Sequence, residues 1–492
     1  MHCPRLIVCF PAVPLLLLAS CRDQASLPPR PDVRAGPPIR ANLLFISLDT
    51  ARADHLGCYG YDRPTSPNID ALAAESHVFD QAYTVMATTL PSHTSMFTSL
   101  NPAQTGITMN ALIVPPEALT LAERLKAAGF STGAFIGAVP LARGLGLEQG
   151  FDVYESPPRK DWKAPIVRRK TEEWLAAQDG RFFCFVHMFE PHTPYEAPVD
   201  DRRALGVSAP RLPPGDDIEF LKRPAAFTPP LRAQCVAAYD AEIRSADREI
   251  GALLDRLTAL GLREKTIIVF VSDHGETLDE LIDAFGYGFD HGEFLHMREL
   301  RIPFVLWLPP AFSHRGPARH AEQVSVLDLM PTLLELLGVR CEPPFEGRSL
   351  VPLLGGGTLP KKMIVAERHG YPASAKVNPL MLGGEAAVLD GRWHFVCSHG
   401  RADELFDLDS DPGATANVVG DHPEYRGSQH TFLRQWYETF GRPLWGVARA
   451  ATNRATHEQL TDLGYMTGAP DEEIQTLPPC MRPEAPPTSS HP

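Results

Sequence analysis

The 492-residue chain has nine cysteines but no Cys-x-x-Cys pair, so a zinc site built from paired cysteines is unsupported. Positive charge is also short. With 46 Lys+Arg against 60 Asp+Glu the net charge is −14, which excludes a duplex-nucleic-acid binder held by bulk electrostatics. A local cationic pocket for a small anion stays compatible with that balance. No internal repeat is visible, so solenoid architectures drop out. What is present is ordinary globular material, 44% hydrophobic and 22% charged, long enough for one large domain plus a smaller one. The 48 prolines gather outside the periodic stretches.

Residues 1–20 read as an export signal, with Arg5 before an apolar run from Leu6 to Leu18 that Pro11 and Pro14 interrupt. The run is too short for a transmembrane helix, which needs about 20 apolar residues. It closes on Leu18-Ala19-Ser20-Cys21, which resembles the bacterial lipoprotein cleavage box and would make Cys21 the lipidated first residue of the mature chain. An ordinary cleaved signal with Cys21 incidental is the alternative. The expected location is the bacterial cell envelope, on the periplasmic or outer-membrane face. Residues 21–40 follow as a Pro-rich tether. An exported chain permits disulfides among Cys58, Cys184, Cys235, Cys341, Cys397 and Cys480, with the pairing unreadable from sequence.

The first strand signal is Asn42-Leu-Leu-Phe-Ile-Ser-Leu48, an apolar run typical of a buried parallel strand, and it stops at Asp49. Thr266-Ile-Ile-Val-Phe-Val-Ser272 is the cleanest later run and stops at Asp273. Thr132 to Ile136 and Phe182 to Phe189 are further strands. Ser66-Pro67 opens one helix, and Thr120 with Glu123 forms the capping box of another that ends at Gly129. A long helix precedes residue 266, with Val236, Tyr239, Ile243, Ile250, Leu254 and Leu257 at helical spacing. Strands alternating with helices imply an α/β fold with a mainly parallel central sheet flanked by helices. Ligands in such folds sit beyond the carboxyl ends of the strands, so two strands ending in Asp point to one rim. The expected organisation is a catalytic domain at 41–357, a smaller C-terminal α+β subdomain at 358–445 and a tail at 446–492. Strand-like runs at Met363–Ala366, Ala387–Leu389 and Trp393–Cys397 and a helix at Pro423–Phe440 make up the subdomain.

Asp273 and His274 at a strand end, with Asp49 from a neighbouring strand, give two carboxylates and one imidazole for a single divalent ion. Mixed oxygen and nitrogen donors suit Zn or Mn better than an all-oxygen calcium cage. The bland alternative for Asp273-His274 is a helix cap beside a surface histidine. Thr89 precedes Pro91 at the start of a helix, where free amides favour an anion; its hydroxyl is either a cap or, beside a metal, an in-line nucleophile. His93, His187, His192 and His291 are candidates for positive charge or a proton for the leaving oxygen, each alone more often a packed or surface histidine.

In order along the chain, these segments resemble the sulfatase family of the alkaline phosphatase superfamily. Asp49 to Gly60 is similar to its opening metal-binding word, Leu90-Pro-Ser-His-Thr-Ser95 to its nucleophile helix, and Glu190-Pro-His-Thr-Pro194 to its substrate-histidine loop. Ser272-Asp-His-Gly-Glu276 resembles the second metal word. Val326 to Leu334, Glu346 to Leu350, Glu404 to Leu408 with Asp411-Pro412, and Leu460 to Tyr465 fit later segments. The resemblance implies a metal-dependent hydrolase of sulfate or phosphate esters. It implies metal binding by Asp49, Thr89, Asp273 and His274 and anion contacts at Asn110 and His192, with His291 a weaker substrate-side match; the residues read by themselves make Thr89, His93, His192 and His291 the candidate catalytic groups and add His187 as a substrate-side contact. The implied cofactor is one divalent ion, with Ca, Mn, Mg and Zn all open. The implied partner is a small anionic ester, from a glycan or a lipid headgroup, and no nucleic acid.

The departures are as informative. Family members carry Cys or Ser, oxidised to formylglycine, where this chain has Thr89, and threonine cannot yield that aldehyde. The arginine of the same word is His93, the second aspartate of the opening pair is Thr50, and the lysine- and histidine-containing word near Thr132 to Ala138 is missing. A threonine nucleophile acting without formylglycine is the expectation. The alternatives are an envelope phospho-headgroup transferase and an inactive relative that binds anions or glycans.

Overall fold

Strand β1 (Asn42–Leu48) has no solvent side: all seven residues are buried. A strand covered on both faces needs a parallel neighbour on each edge and helices above and below. The computed structural model, which describes residues 40–158, 160–213, 226–312, 316–340, 344–371, 383–399 and 401–446, supplies both. Strand β1 pairs in parallel with β5 (Phe182–Met188) on one edge and with β6 (Thr266–Val271) on the other. The remaining strands of this sheet are β2 (His77–Tyr83), β3 (Ser131–Ile136), β4 (Val153–Glu155), β7 (Arg301–Ile302), β8 (Phe304–Trp307) and β9 (Ala318–Ser325). Among the described residues the order is β4-β3-β5-β1-β6-β8-β2-β7, with β9 beside β2. β8 runs antiparallel to β6, so the sheet is parallel through its centre and mixed toward one edge.

Helix α1 (Pro67–Ala74), the helix Ala164–Leu175 and the long helix Pro229–Ala259 share one apolar cluster under the sheet. Helix α2 (Thr89–Thr98), the helix Leu121–Ala127 and the helix Leu329–Leu336 cover the other face. The capping box holds as expected: Glu123 N–H donates to Thr120 Oγ1 at 3.2 Å, and Thr120 N–H donates back to Glu123 Oε2 at 2.8 Å. Ser66 is an N-cap by position only. Its hydroxyl accepts from Gly57 N–H and donates to Asp70 instead of capping the helix.

A second, antiparallel sheet follows in the order β10 (Ile364–Tyr371), β11 (Gly383–Leu389), β12 (Trp393–Ser398) and β13 (Glu404–Asp407). Alternation divides its residues. Ile364, Ala366, Ala387, Val396 and Phe406 join the core of the main sheet, whereas Val365, Val388, Phe395 and Leu405 pack toward Leu433 of the helix Pro423–Phe440. β13 and the strands β2, β7, β8 and β9 on the mixed side of the main sheet carry no long apolar run, and periodicity does not mark them.

The signal, the tether, Cys21, Cys341, Cys480 and Leu460 to Tyr465 lie outside the described residues. Of the described cysteines, Cys58, Cys184 and Cys235 are free and Cys397 is disulfide-bonded. No described helix is long and apolar enough to cross a membrane.

Candidate metal centre and active site

Parallel pairing of β1 with β6 carries Asp49 and Asp273 out of adjacent strand ends. Beyond Asp49 the backbone turns sharply at Thr50, a non-glycine residue with φ of 54°. The turn is secured from two sides: Thr50 N–H donates to Asp273 Oδ1 at 3.2 Å, and Tyr239 of the long helix donates its hydroxyl to Thr50 O at 2.8 Å. Asp49, Asp273 and His274 thereby present ligand atoms that all lie within 4.8 Å of one another. His274 Nε2 is 3.3 Å from Asp273 Oδ2 and 4.0 Å from Asp49 Oδ1. The two carboxylates and the imidazole that the sequence placed on one rim meet.

All three are fully buried, and Asp49 Oδ1 and Oδ2, Asp273 Oδ2 and His274 Nε2 have no hydrogen-bond partner. Buried native polar atoms are almost always satisfied, so this concentration of orphans marks a place where something else binds. Burial pushes both carboxyls well above the ordinary carboxylate range, and Asp49 pushes Asp273 further. Burial also holds His93, His187 and His274 well below the ordinary histidine range, so these imidazoles are neutral and offset no charge. Arg52, the nearby guanidinium, is committed elsewhere: it forks onto Asp54 and reaches Glu280 and the Glu276 carbonyl. A divalent cation fits this donor set in charge and in chemistry.

Thr89 is the first residue of α2, and its buried Oγ1 is without a hydrogen-bond partner. The residue before the helix, Thr88, makes no side-chain cap; Asn110 does that work from outside, its Oδ1 accepting Leu90 N–H at 2.9 Å. The Thr89 hydroxyl is therefore free of capping duty. Asn110 is anchored one residue away from it.

His93 sits one turn further along α2, wholly buried. Its Nδ1 donates to Thr89 O at 2.7 Å, and its Nε2 accepts from Ser47 of β1 at 2.9 Å. With both ring nitrogens engaged, this histidine locks the start of α2 against β1, in place of presenting a proton to substrate. His192, 9% exposed, donates Nδ1–H to Thr193 O at 2.6 Å and stacks on Phe189. Its ring lies 4.8 Å from that of His291, which lies 4.5 Å from that of His274. Two of the expected rim histidines thus form a row leading to the carboxylates. His187, on β5, is fully buried with both ring nitrogens unpartnered, its Nε2 3.4 Å from Asp49 Oδ2.

Two participants escaped the sequence reading of roles. Glu276 lies within a quoted segment, yet its place is visible only in three dimensions: it is fully buried, 3.4 Å from His291 Nδ1. Glu299 ties down the loop that carries His291, accepting Thr277 Oγ1–H at 2.7 Å and Gly292 N–H at 2.9 Å. Nothing in the local pattern around Glu299 announces that contact. A further trio, Cys397, Asp403 and His430, has ligand atoms close together, but a disulfide sulfur is no thiolate ligand and Asp403 is already paired with Arg426 and His430.

With this geometry in hand, comparison with known proteins is specific. Residues 41–339 match the model of the sulfatase family, and residues 285–438 match that of the N-sulphoglucosamine sulphohydrolase C-terminal region. An ulvan-active sulfatase of Formosa agariphila is 28% identical over 372 residues, covering 68% of each chain. Choline-sulfatase of Rhizobium meliloti is 25% identical over 442 residues, 77% of this chain and 82% of that one. The phosphonate monoester hydrolase of Agrobacterium radiobacter shares the fold, with a TM-score of 0.64 and 20% identity across 81% of this chain and 95% of its own.

Proposed function

The chain belongs to the sulfatase family, and from that premise we propose that it is a divalent-metal-dependent hydrolase of small anionic sulfate or phosphate esters with Thr89 Oγ1 as nucleophile. The observation that carries this reading is the group of unpartnered buried atoms, Thr89 Oγ1 among them, at and beside two adjacent strand ends. Asp49, Asp273 and His274, with Thr89, would hold the ion. When bound, it offsets the two carboxylates and favours the alkoxide form of an adjacent hydroxyl. Thr89 Oγ1 bonds to the sulfur or phosphorus in line with the ester oxygen, whose bond breaks as the alcohol departs. His291, on the row leading from the rim, protonates that oxygen, and His192, whose ring donates Nδ1–H to Thr193 O, positions it edge-on. Water then attacks the same sulfur or phosphorus and frees Thr89. His93 keeps α2 seated during both steps through its bonds to Thr89 O and Ser47.

Formylglycine is not required by this reading, since threonine cannot form it. The substrate class is tested with a panel of aryl sulfate, phosphate monoester, phosphodiester and phosphonate, each assayed with Ca, Mn, Mg and Zn. Turnover of at least one, abolished by chelation, is expected; activity in metal-free protein removes the metal from the mechanism. Mass spectrometry of the peptide around Thr89 after rapid quenching is expected to show the adduct. The exported, Cys21-lipidated placement is part of the same proposal. It rests on the leader sequence alone, and mass analysis of the mature N-terminus tests it.

A further inference from the structure

His187 is an imidazole sealed in the interior, with neither ring nitrogen hydrogen-bonded. An unpaired buried polar group is costly, and two on one ring call for an explanation. Three observations say where that explanation lies. His187 Nε2 is 3.4 Å from Asp49 Oδ2. His187, His93 and Asp273 bring ligand atoms within 4.8 Å of one another, so Asp273 belongs to this trio as well as to the one with Asp49 and His274. His93 has both nitrogens committed, to Thr89 O and Ser47 Oγ, and therefore offers no lone pair. His187 is left as the donor on that side.

We propose that His187 Nε2 is a further protein ligand of the same divalent ion. Two contacts on the rim are close enough for neighbouring donors to one ion: His187 Nε2 to Asp49 Oδ2 at 3.4 Å and His274 Nε2 to Asp273 Oδ2 at 3.3 Å. Beside Thr89 Oγ1, two imidazoles and two carboxylates make a mixed donor set that prefers zinc or another first-row ion and disfavours calcium, whose sites are built from six to eight oxygens. The inference rests on the metal-dependent reading above and adds to it a further ligand and the class of ion.

The test uses metal-free full-length protein reloaded with Co(II) or Zn(II). X-ray absorption of the Zn(II)-loaded wild type is expected to count two imidazoles at the ion. His187→Gln, which keeps the volume, should leave one, alter the visible Co(II) bands and weaken Zn(II) affinity at least about tenfold. His274→Gln serves as the reference for losing a nitrogen ligand. A single imidazole in the wild type overturns the inference without need of any variant. So does an unchanged Co(II) spectrum in a folded His187→Gln protein. Weaker affinity with both nitrogens retained also overturns it, since His187 would then act only by holding Asp49. Tighter binding of Ca(II) than of Zn(II) by the wild type defeats the donor-set argument. If the wild type binds none of these ions, the metal-dependent reading itself fails, which is a distinguishable result.

Discussion

Glu385 and Asp273 are both carboxylates with almost no contact with solvent, and their surroundings are opposite in sign. Glu385, on β11, faces Arg368 and Arg401, and Arg401 also pairs with Glu404, which receives His296 at 3.2 Å. Despite burial, Glu385 and Glu404 are held below the ordinary glutamate range by these cations. Asp273 faces Asp49 and neutral imidazoles, and its carboxyl is driven upward. One network pairs its charges within the protein and acts as structure. The other gathers two carboxylates with no cation facing them, and that imbalance marks the candidate site.

That contrast can be broken most decisively by activity. Thr89→Ala and Asp273→Asn should each lower turnover on the order of 10³-fold or more while the metal-free protein stays folded by circular dichroism. Comparable turnover in either variant would strip that residue of its role. Stability gives the next largest separation. Glu385→Gln leaves buried arginines uncompensated and should cost about 3–5 kcal/mol in denaturant unfolding. Asp273→Asn removes a like charge from the metal-free rim and should leave stability equal or higher. Equal losses from both substitutions would make the rim as structural as the second sheet.

Acidity sharpens the comparison further. Asp49 and Asp273 have raised values in the folded state, so the stability they contribute is greatest below about pH 3.8 and is lost as pH rises through their folded values. Glu385 and Glu404 behave in reverse, adding stability above about pH 4.5 that fades as pH falls toward their folded values. Melting of metal-free Asp49→Asn/Asp273→Asn protein against wild type should diverge as pH rises from 4 to 8, in favour of the variant. Divalent ion at about 100 times its Kd should restore about 2.7 kcal/mol to the wild type and remove the divergence. The smallest effect is expected from Ser47→Ala, which deletes one hydrogen bond to His93 and should cost about 1 kcal/mol by urea unfolding, with little change in KM.

The sequence made the centre of the fold legible because buried parallel strands are uninterrupted apolar runs. Asn42 to Leu48 and the helix Pro423–Phe440 are found with the bounds read from pattern, and the strand ending before Asp273 stops one residue earlier, at Val271. Asp49, Asp273 and His274 were findable because a strand that halts at an acid in an α/β fold points its next side chain at the ligand rim. The contact of His93 with Ser47 left no mark in the pattern, since Ser47 lies on another element and only tertiary packing brings them to 2.9 Å. Glu299 and the Glu385–Arg401 pair were invisible for the same reason. Charge pairing across elements leaves no period in a sequence.

The pairing of β1 carries a consequence for how the chain is made. Leu43 stands beside Phe183 on one edge and Ile267 on the other, so neither neighbour exists until well over a hundred further residues have been synthesised. Through that interval Asn42 to Leu48 is a seven-residue, uncharged, β-prone stretch with both edges open, the kind of segment that associates with copies of itself. Until both neighbours are made, this stretch is an open template for another copy of itself.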